Sequence, residues 1–238
     1  MTKAYLEPQD VEELEQAAQY LRDQLLIRLL FRLGCRISEA LGITVGDIDF
    51  GESTVIIKHL KERVRLSCPR CGGRLARAHR FCSVCGFDVD QALSQVREQR
   101  RFRSLPVDAE TLGMLKEYVN RKGPRSKGGR LLLFGINRHR AWQIVRHCAE
   151  RAGLPSLRNS ESGKVHGVSP HRLRDAFAVH AVKINDSGDG IRMLQEHLGH
   201  QSIATTMRYR KVSGDEQRAW YQKLWPENKS KGEINGKA

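Results

Sequence analysis

The feature that most constrains how this chain can fold is a pair of Cys-x-x-Cys motifs in its first half. Cys68-Pro-Arg-Cys71 and Cys82-Ser-Val-Cys85 are separated by ten residues, and a glycine follows each motif. Two such turns each supply two thiolates to one tetrahedral ion, and the glycine lets backbone amides bend toward the sulfur atoms. The spacing therefore predicts a structural zinc site with four cysteine ligands and no open coordination position.

A redox-active cysteine pair is the alternative interpretation of these motifs. A thioredoxin-like site needs one Cys-x-x-Cys in a β-α-β setting, whereas two motifs lie here in one short basic segment. His79 stands between the motifs, and we expect it to be exposed rather than a fifth ligand. The zinc interpretation is favoured.

The cysteine motifs lie between two β-strand patterns, which cover residues 53–60 and 102–107. A hairpin normally needs only a few linking residues, so the roughly 40 that intervene predict a folded insertion. We place this zinc ribbon at residues 62–101. Ten arginines and only four acidic residues lie between Glu62 and Ser104. The ribbon is expected either to contact DNA or to stabilise the fold with a solvated basic face, and both interpretations stay open.

The rest of the chain has helical periodicity. The predicted class is mainly α with a small antiparallel β-sheet, in one domain over residues 1–225 followed by a disordered tail at 226–238. We predict helices at residues 8–41 (with an interruption at Gly34), 108–121, 139–152, 169–185, 191–198, 203–209 and 215–224.

The charge balance favours a polyanionic partner. The formal net charge is +14 in 238 residues, and neutralisation of phosphates with counterion release is the simplest use of such a surface. Nucleic acid is favoured over an acidic membrane surface. No apolar run approaches the ~20 residues of a membrane span, and the first residues lack the apolar core of a signal peptide. We therefore expect a cytoplasmic protein in which Cys35 and Cys148 are inert core residues.

Several residues in the helical part have the properties that phosphodiester transfer without a metal requires. That chemistry needs a nucleophile, cations on the non-bridging oxygens and an acid for the leaving oxygen. His171 and Arg174 are three residues apart on one predicted helix, His200 precedes Tyr209 by nine residues, and Arg36 begins a helix. Each alone has an ordinary structural explanation, as a surface pair, a half-buried aromatic or a helix cap. Their combination in this order is far more specific.

Three segments resemble the motifs of the tyrosine recombinase (phage integrase) family. They are Gly34-Cys-Arg36-Ile-Ser-Glu39-Ala-Leu, Ser169-Pro-His171-Arg-Leu-Arg174 and Leu198-Gly-His200-Gln-Ser-Ile-Ala-Thr-Thr-Met-Arg-Tyr209. The resemblance covers residues 6–224 apart from the insertion. It implies a recombinase catalytic domain whose β-hairpin carries the zinc ribbon.

The resemblance also implies a role for each matching residue. Tyr209 would attack the scissile phosphate and form a 3′-phosphotyrosine link, releasing a 5′-hydroxyl. The other implied roles are phosphate clamps for Arg36 and Arg174, a hydrogen-bond donor for His200, a proton-transfer aid for His171 and an orienting carboxylate for Glu39. The family's hairpin lysine, the general acid, matches Lys61 best and Lys58 second. Neither ATP nor a catalytic metal is implied, and His197 is interpreted as a bystander.

The resemblance extends to partners. It implies double-stranded DNA in the nucleoid, a homotetramer on paired DNA sites and an accessory protein that bends DNA. A C-terminal helix at residues 215–225 is expected to dock on a neighbouring subunit or to pack on its own domain. Which reaction is performed, among integration, excision, inversion and resolution, is left open. The rival hypotheses are a non-catalytic DNA-binding or regulatory protein that retains the fold, and a zinc-ribbon adaptor.

Two departures from the family pattern stand out. The catalytic pattern begins at the first residues, whereas most members carry a preceding helical DNA-clamping domain. The chain is therefore expected to be similar to the short invertases of the family or to a shortened form of a longer member. The second departure is Asp175, which follows Arg174 where many members have histidine.

Overall fold

The computed structural model of the chain describes residues 3–58, 66–76, 79–89, 102–158, 163–210 and 221–224. The helices are α1 (Pro8–Gln16), α2 (Leu21–Arg32), α3 (Ile37–Ala40), α4 (Ala109–Asn120), α5 (Arg138–Arg151), α6 (Pro170–Ile184), α7 (Gly188–Leu198) and α8 (Ile203–Met207). The strands are β1 (Ile48–Asp49), β2 (Thr54–Lys58), β3 (Leu66–Ser67), β4 (Arg74–Leu75), β5 (Phe102–Pro106), β6 (Arg125–Lys127), β7 (Arg130–Leu132), β8 (Leu157–Arg158) and β9 (Val165–His166). The predicted class, mainly α with small antiparallel sheets, is confirmed.

Helix α2 forms the centre of the main core because it is apolar on nearly all sides. All residues from Leu25 to Phe31 are buried, and the helix packs against α1, α4 and α6. The charged member of this run, Arg28, donates to Glu15 of α1 at 2.8 Å, so its charge is paired inside the core.

The first helical segment is shorter and more broken than predicted. The sequence predicts one helix from residue 8 to 41 with an interruption at Gly34, whereas the structure also has a break at residues 17–20. Gly34 has φ of +53°, and a Cβ atom there would lie 2.5 Å from the ring of Phe177. Only glycine fits this turn without displacing α6, and the turn sets the position at which α3 begins.

The small sheet confirms that the strands flanking the insertion pair with each other. Its order is β1-β2-β5, and β2 and β5 are antiparallel with Thr54 opposite Pro106 and Lys58 opposite Phe102. The segment 59–101 therefore leaves and re-enters the sheet at adjacent positions, as expected for a unit inserted in a hairpin.

Two segments that lie outside the predicted helices and strands contain short hairpins. Strands β6 and β7 pair within residues 125–132, and β8 and β9 pair within residues 157–166. All three residues of β6 are exposed, so no alternation of polar and apolar side chains signals the strand.

Some expectations concern residues outside the described part of the chain. These are the tail at 226–238 and most of the helix at 215–225, of which residues 221–224 are described, as helical and exposed. Cys35 and Cys148 are buried, as predicted. Among the described residues, no helix is long and apolar enough to cross a membrane.

Candidate active site

Arg36 and Glu39 form the first part of the site, at the start of α3. The backbone N–H of Arg36 donates to Glu39 Oε2 at 2.8 Å, and the Arg36 guanidinium donates to Oε1 at 3.0 Å. Glu39 is buried, while about a third of the Arg36 side chain (34%) is exposed. The carboxylate thus holds the arginine in place and leaves part of its guanidinium accessible to a ligand.

Arg174 is the fifth residue of α6 and is buried. Its Nη1 donates to the Gly34 carbonyl at 2.5 Å, and its Nη2 donates to the Leu198 carbonyl at 2.8 Å. Burial and the nearby charge of Arg36 lower the pKa of Arg174 to about 10, so the side chain stays charged at neutral pH. This residue ties the end of α2 and the end of α7 to α6.

His200 follows the αL glycine that ends α7, and its ring faces Arg174. The distance from Arg174 Nη2 to His200 Nε2 is 3.0 Å, and His200 Nδ1 is 2.9 Å from the Thr206 hydroxyl. Because arginine only donates, Nε2 accepts and the ring hydrogen lies on Nδ1. Burial and the charge of Arg174 lower the pKa of His200 to about 4, which leaves the imidazole neutral.

Tyr209 lies two residues beyond the end of α8, and its ring stacks beside that of His200 with centroids 6.4 Å apart. Its hydroxyl donates to Asp175 Oδ1 at 2.9 Å. Burial and the neighbouring Asp175 carboxylate raise the pKa of Tyr209, which is half-buried. The hydroxyl therefore lies in the site as a protonated phenol.

The remaining predicted residues are less closely joined to this group. The His171 side chain is 73% exposed, and its Nε2 lies 3.8 Å from Asp175 Oδ1. Its exposure contrasts with the burial of Arg174, although both lie in the first turns of α6. Lys61 is outside the described residues. Lys58, at the end of β2, pairs with the buried carboxylate of Asp47.

Two residues of the site, Arg103 and Asp175, were not predicted from the sequence to take part in it. Arg103 of β5 donates to Glu39 Oε2 at 3.1 Å and packs so tightly on Gly199 that a Cβ atom there would overlap the guanidinium. Arg103 lies in an arginine-rich run with nothing to distinguish it from its neighbours. Asp175 was recognised only as a departure from the family pattern, without a role.

An open groove of about 950 Å³ passes beside His200 and Arg103. It runs between the start of β5 and the α7–α8 corner, where Arg192 contributes a further positive charge. His200 and Arg103 thus border a groove whose lining also includes the guanidinium of Arg192 and the carboxylate of Glu196.

The four cysteines form a separate cluster in the inserted unit. Their sulfur atoms all lie within 4.8 Å of one another, and the Sγ atoms of Cys68 and Cys85 and of Cys71 and Cys82 are 3.6 Å apart. The backbone amide of Val84 donates to Cys82 Sγ at 3.4 Å. Four converging thiols of this kind can bind a metal ion.

The glycine after each cysteine motif adopts the left-handed backbone conformation and closes a turn. Gly72 and Gly86 have φ values of +72° and +68°, and their amides donate to the carbonyls of Cys68 and Cys82. His79 is exposed and lies outside the group of converging ligands. The donor set is all sulfur, which suits Zn²⁺ and disfavours Mg²⁺ or Ca²⁺.

Comparison with known proteins identifies the family. The model of the phage integrase family matches residues 4–216. The chain is 32% identical over 193 residues to the tyrosine recombinase XerD of Mycobacterium leprae, which covers 81% of this chain and 49% of that protein. The chain therefore belongs to the phage integrase family of tyrosine recombinases. It spans about half the length of the curated relatives it matches.

Solved structures show the same fold. The catalytic domain of bacteriophage HP1 integrase has a TM-score of 0.51 and 18% identity, covering 96% of this chain and 99% of that domain. The Tn1549 transposon integrase in complex with transposon right end DNA has a TM-score of 0.60 and 19% identity, covering 94% and 67%. The predicted fold, a tyrosine recombinase catalytic domain, is confirmed.

Proposed function

We propose that this chain is the catalytic part of a site-specific DNA recombinase that cleaves and rejoins DNA through a 3′-phosphotyrosine intermediate. The observation that carries the proposal is the convergence of Arg36, Arg174, His200 and Tyr209. These residues come from three separate segments of the chain. Arg36 and Arg174 both lie against Glu39, Arg174 donates to His200, and the Tyr209 ring stacks beside that of His200. The relatives named tyrosine recombinases support the same activity.

The residues divide the chemistry between them. The Tyr209 oxygen attacks the phosphorus while the bond to the 5′ oxygen breaks, so the covalent link conserves the bond energy and ATP is unnecessary. Arg36 and Arg174 hold the non-bridging oxygens, where a guanidinium fork matches phosphate geometry. A bound phosphate also adds a negative charge beside His200, which favours its protonated form and lets Nε2 donate to an oxygen.

The leaving 5′ oxygen needs a proton, and we assign the general acid to the hairpin lysine. Lys61 is the first candidate and Lys58 the second. A substrate with sulfur in place of the bridging 5′ oxygen separates them, because a thiolate leaves without protonation. The lysine whose alanine variant is slow on normal DNA and fast on the sulfur substrate is the acid.

The partners follow from this chemistry. We propose double-stranded DNA as substrate and a homotetramer that pairs two sites, with an accessory DNA-bending protein. The exposed Tyr221 and Leu224 suit a helix that docks on a neighbour. The protein would act at the nucleoid in the cytoplasm.

We propose that Cys68, Cys71, Cys82 and Cys85 hold one structural zinc ion. Zinc would hold the two cysteine turns together, and no catalytic metal is part of the proposed reaction. The unit would span residues 62–101 within a catalytic domain of residues 1–225.

The direct test uses a pool of nicked DNA duplexes with randomised sequence around the nick. A recombinase that cleaves next to a nick loses the short product strand and is trapped as an adduct that survives SDS. The expected result is such an adduct, whose attached DNA also identifies the preferred site. Saturable DNA binding without any adduct would favour the rival hypothesis of a non-catalytic DNA-binding protein.

Zinc loss is expected to impair cleavage through the hairpin. A Cys82→Ser/Cys85→Ser variant should contain no zinc, and its ribbon should be unfolded because apo zinc ribbons do not fold alone. The helical domain should fold normally, so the helical circular dichroism should be retained. The unfolded insertion would loosen the hairpin lysine, and an error of ~1 Å in position costs on the order of 10²-fold in rate.

The measurements are zinc content, DNA affinity at two salt concentrations and single-turnover cleavage at saturating DNA. His79→Ala is the matched control, since this exposed side chain lies between the same cysteine turns. Reduced affinity with a shallower salt dependence, at an unchanged saturated rate, would instead make the ribbon a phosphate-binding accessory. A variant that keeps its zinc contradicts the assigned ligands.

A further inference from the structure

The hydroxyl of Tyr209 has a carboxylate partner that the family resemblance did not assign. Tyr209 Oη donates to Asp175 Oδ1 at 2.9 Å, within the reach that proton transfer requires. The contact joins the segment after α8 to the first turns of α6, 34 residues apart in sequence. It is therefore a tertiary contact rather than a local consequence of helix geometry.

The surroundings fix this carboxylate in one orientation. Asp175 is buried, and its second oxygen accepts from Arg172 Nη1 at 3.2 Å. His171 Nε2 lies 3.8 Å from Oδ1. Because Arg172 holds the second oxygen, Oδ1 is the oxygen that faces the Tyr209 hydroxyl.

The position of the contact places it at the reacting atom. Asp175 follows Arg174 directly, and the Arg174 guanidinium contacts His200, on whose ring Tyr209 stacks. Asp175 therefore touches the attacking oxygen of the proposed reaction from the same helix that presents the phosphate-binding arginine.

We propose that Asp175 is the general base that accepts the proton of Tyr209 during attack on the phosphate. The inference rests on the proposed recombinase function. As the bond from the Tyr209 oxygen to phosphorus forms, the phenolic proton moves to Asp175 Oδ1 and the bond from phosphorus to the 5′ oxygen breaks. That oxygen takes a proton from the hairpin lysine. In rejoining, the neutral Asp175 carboxyl returns its proton to the departing tyrosine oxygen.

The alternative role for Asp175 is positioning alone, and two substitutions separate the roles. Asp175→Asn keeps an oxygen that can accept from the tyrosine but cannot take up its proton. Asp175→Ala removes the acceptor altogether. A base predicts that both variants are slow, whereas a positioning residue predicts that asparagine supports the normal rate.

The rate experiment uses the nicked duplex selected by the wild-type protein, in single turnover at saturating DNA. General-base catalysis contributes typically 10²–10⁴-fold, so Asp175→Asn is expected to be about 10²-fold slower or more, with unchanged DNA affinity. Asp189→Asn is the matched control, because it makes the same change at an exposed carboxylate of α7. Arg172→Ala, which removes the other partner of Asp175, is measured as a reference. The amide introduced by Asp175→Asn accepts from Tyr209 only when its oxygen faces the tyrosine, and Arg172 competes for that oxygen. The double variant Arg172→Ala/Asp175→Asn removes this competitor and is measured beside the single variant.

A substrate with bridging sulfur at the 5′ position adds a second criterion. It removes the need for a general acid and leaves the tyrosine proton to be transferred. The Asp175→Asn defect should therefore persist on this substrate, while the defect of the hairpin lysine variant is relieved. Wild-type rates for Asp175→Asn, both alone and combined with Arg172→Ala, would overturn the proposal. Relief of the Asp175→Asn defect on the sulfur substrate would overturn it as well.

A measurement without DNA separates failure of this inference from failure of the proposed function. The contact with Asp175 helps to raise the pKa of Tyr209, so Asp175→Asn should lower that pKa in an NMR titration of ¹³C-labelled tyrosine. If the pKa of Tyr209 is the same in the wild-type protein and in Asp175→Asn, the two side chains do not interact in solution, and the inference loses its basis. An unchanged adduct in Asp175→Asn beside none in Tyr209→Phe would overturn the inference and leave the function intact.

Discussion

Tyr209→Phe is expected to eliminate the covalent protein–DNA adduct and to leave DNA affinity unchanged. The substitution removes one oxygen, which is the proposed nucleophile, and keeps the ring that stacks beside His200. The hydroxyl contributes no charge to the binding surface, because the pKa of Tyr209 is raised and the phenol is neutral. Adduct yield on the selected nicked duplex, read on a denaturing gel, measures the effect.

The matched control is Tyr221→Phe, which changes an exposed tyrosine twelve residues further along the chain. It should form the adduct at the normal rate. An adduct of normal yield from Tyr209→Phe would show that another group attacks the phosphate, and Tyr221 and Tyr118 would then be tested.

Arg174→Ala is expected to slow adduct formation at saturating DNA by about 10²–10³-fold, the usual cost of losing one positioned donor to a transition state. DNA affinity should fall much less, because Arg36 stays partly exposed and the groove keeps Arg103 and Arg192. Arg174→Lys should also be slow, since an ammonium does not reproduce the fork of a guanidinium.

Arg174 also supports the structure, so its variants need a stability control. The side chain donates to the carbonyls of Gly34 and Leu198, which would lose their partner in Arg174→Ala. Thermal unfolding identifies any loss of folded protein, and Arg146→Ala on the exposed face of α5 provides the same change of charge far from these carbonyls. Equal losses in DNA affinity and in the rate at saturating DNA would contradict a role in the transition state. They would show that Arg174 only binds the phosphate.

The sequence was sufficient for the parts of the fold that strong local signals specify. The cysteine turns carry ligand spacing and glycines, and the structure brings the four sulfur atoms together. The β2–β5 pairing followed from two predicted strands separated by a linker too long for a simple hairpin. Short polar hairpins such as β6–β7 escaped prediction because their exposed residues have no alternating pattern.

The site shows a similar division. Arg36, Arg174, His200 and Tyr209 were found because they lie in spaced motifs, and the structure brings them together. Contacts between distant segments left no such signal. Arg103 reaches Glu39 across 64 residues, and Asp175 reaches Tyr209 across 34. Pairings of this kind depend on how helices pack, which periodicity alone does not specify.

The most direct test of the account is the chemical identity of the protein–DNA link. The adduct from the selected nicked duplex is digested with trypsin and nuclease and analysed by mass spectrometry, and the released strand is tested for phosphorylation by a kinase that needs a free 5′-hydroxyl. The account predicts a nucleotide joined through its 3′ phosphate to Tyr209, with a free 5′-hydroxyl on the released strand. A link to any other residue, or a 5′-phosphate at the protein, would contradict it.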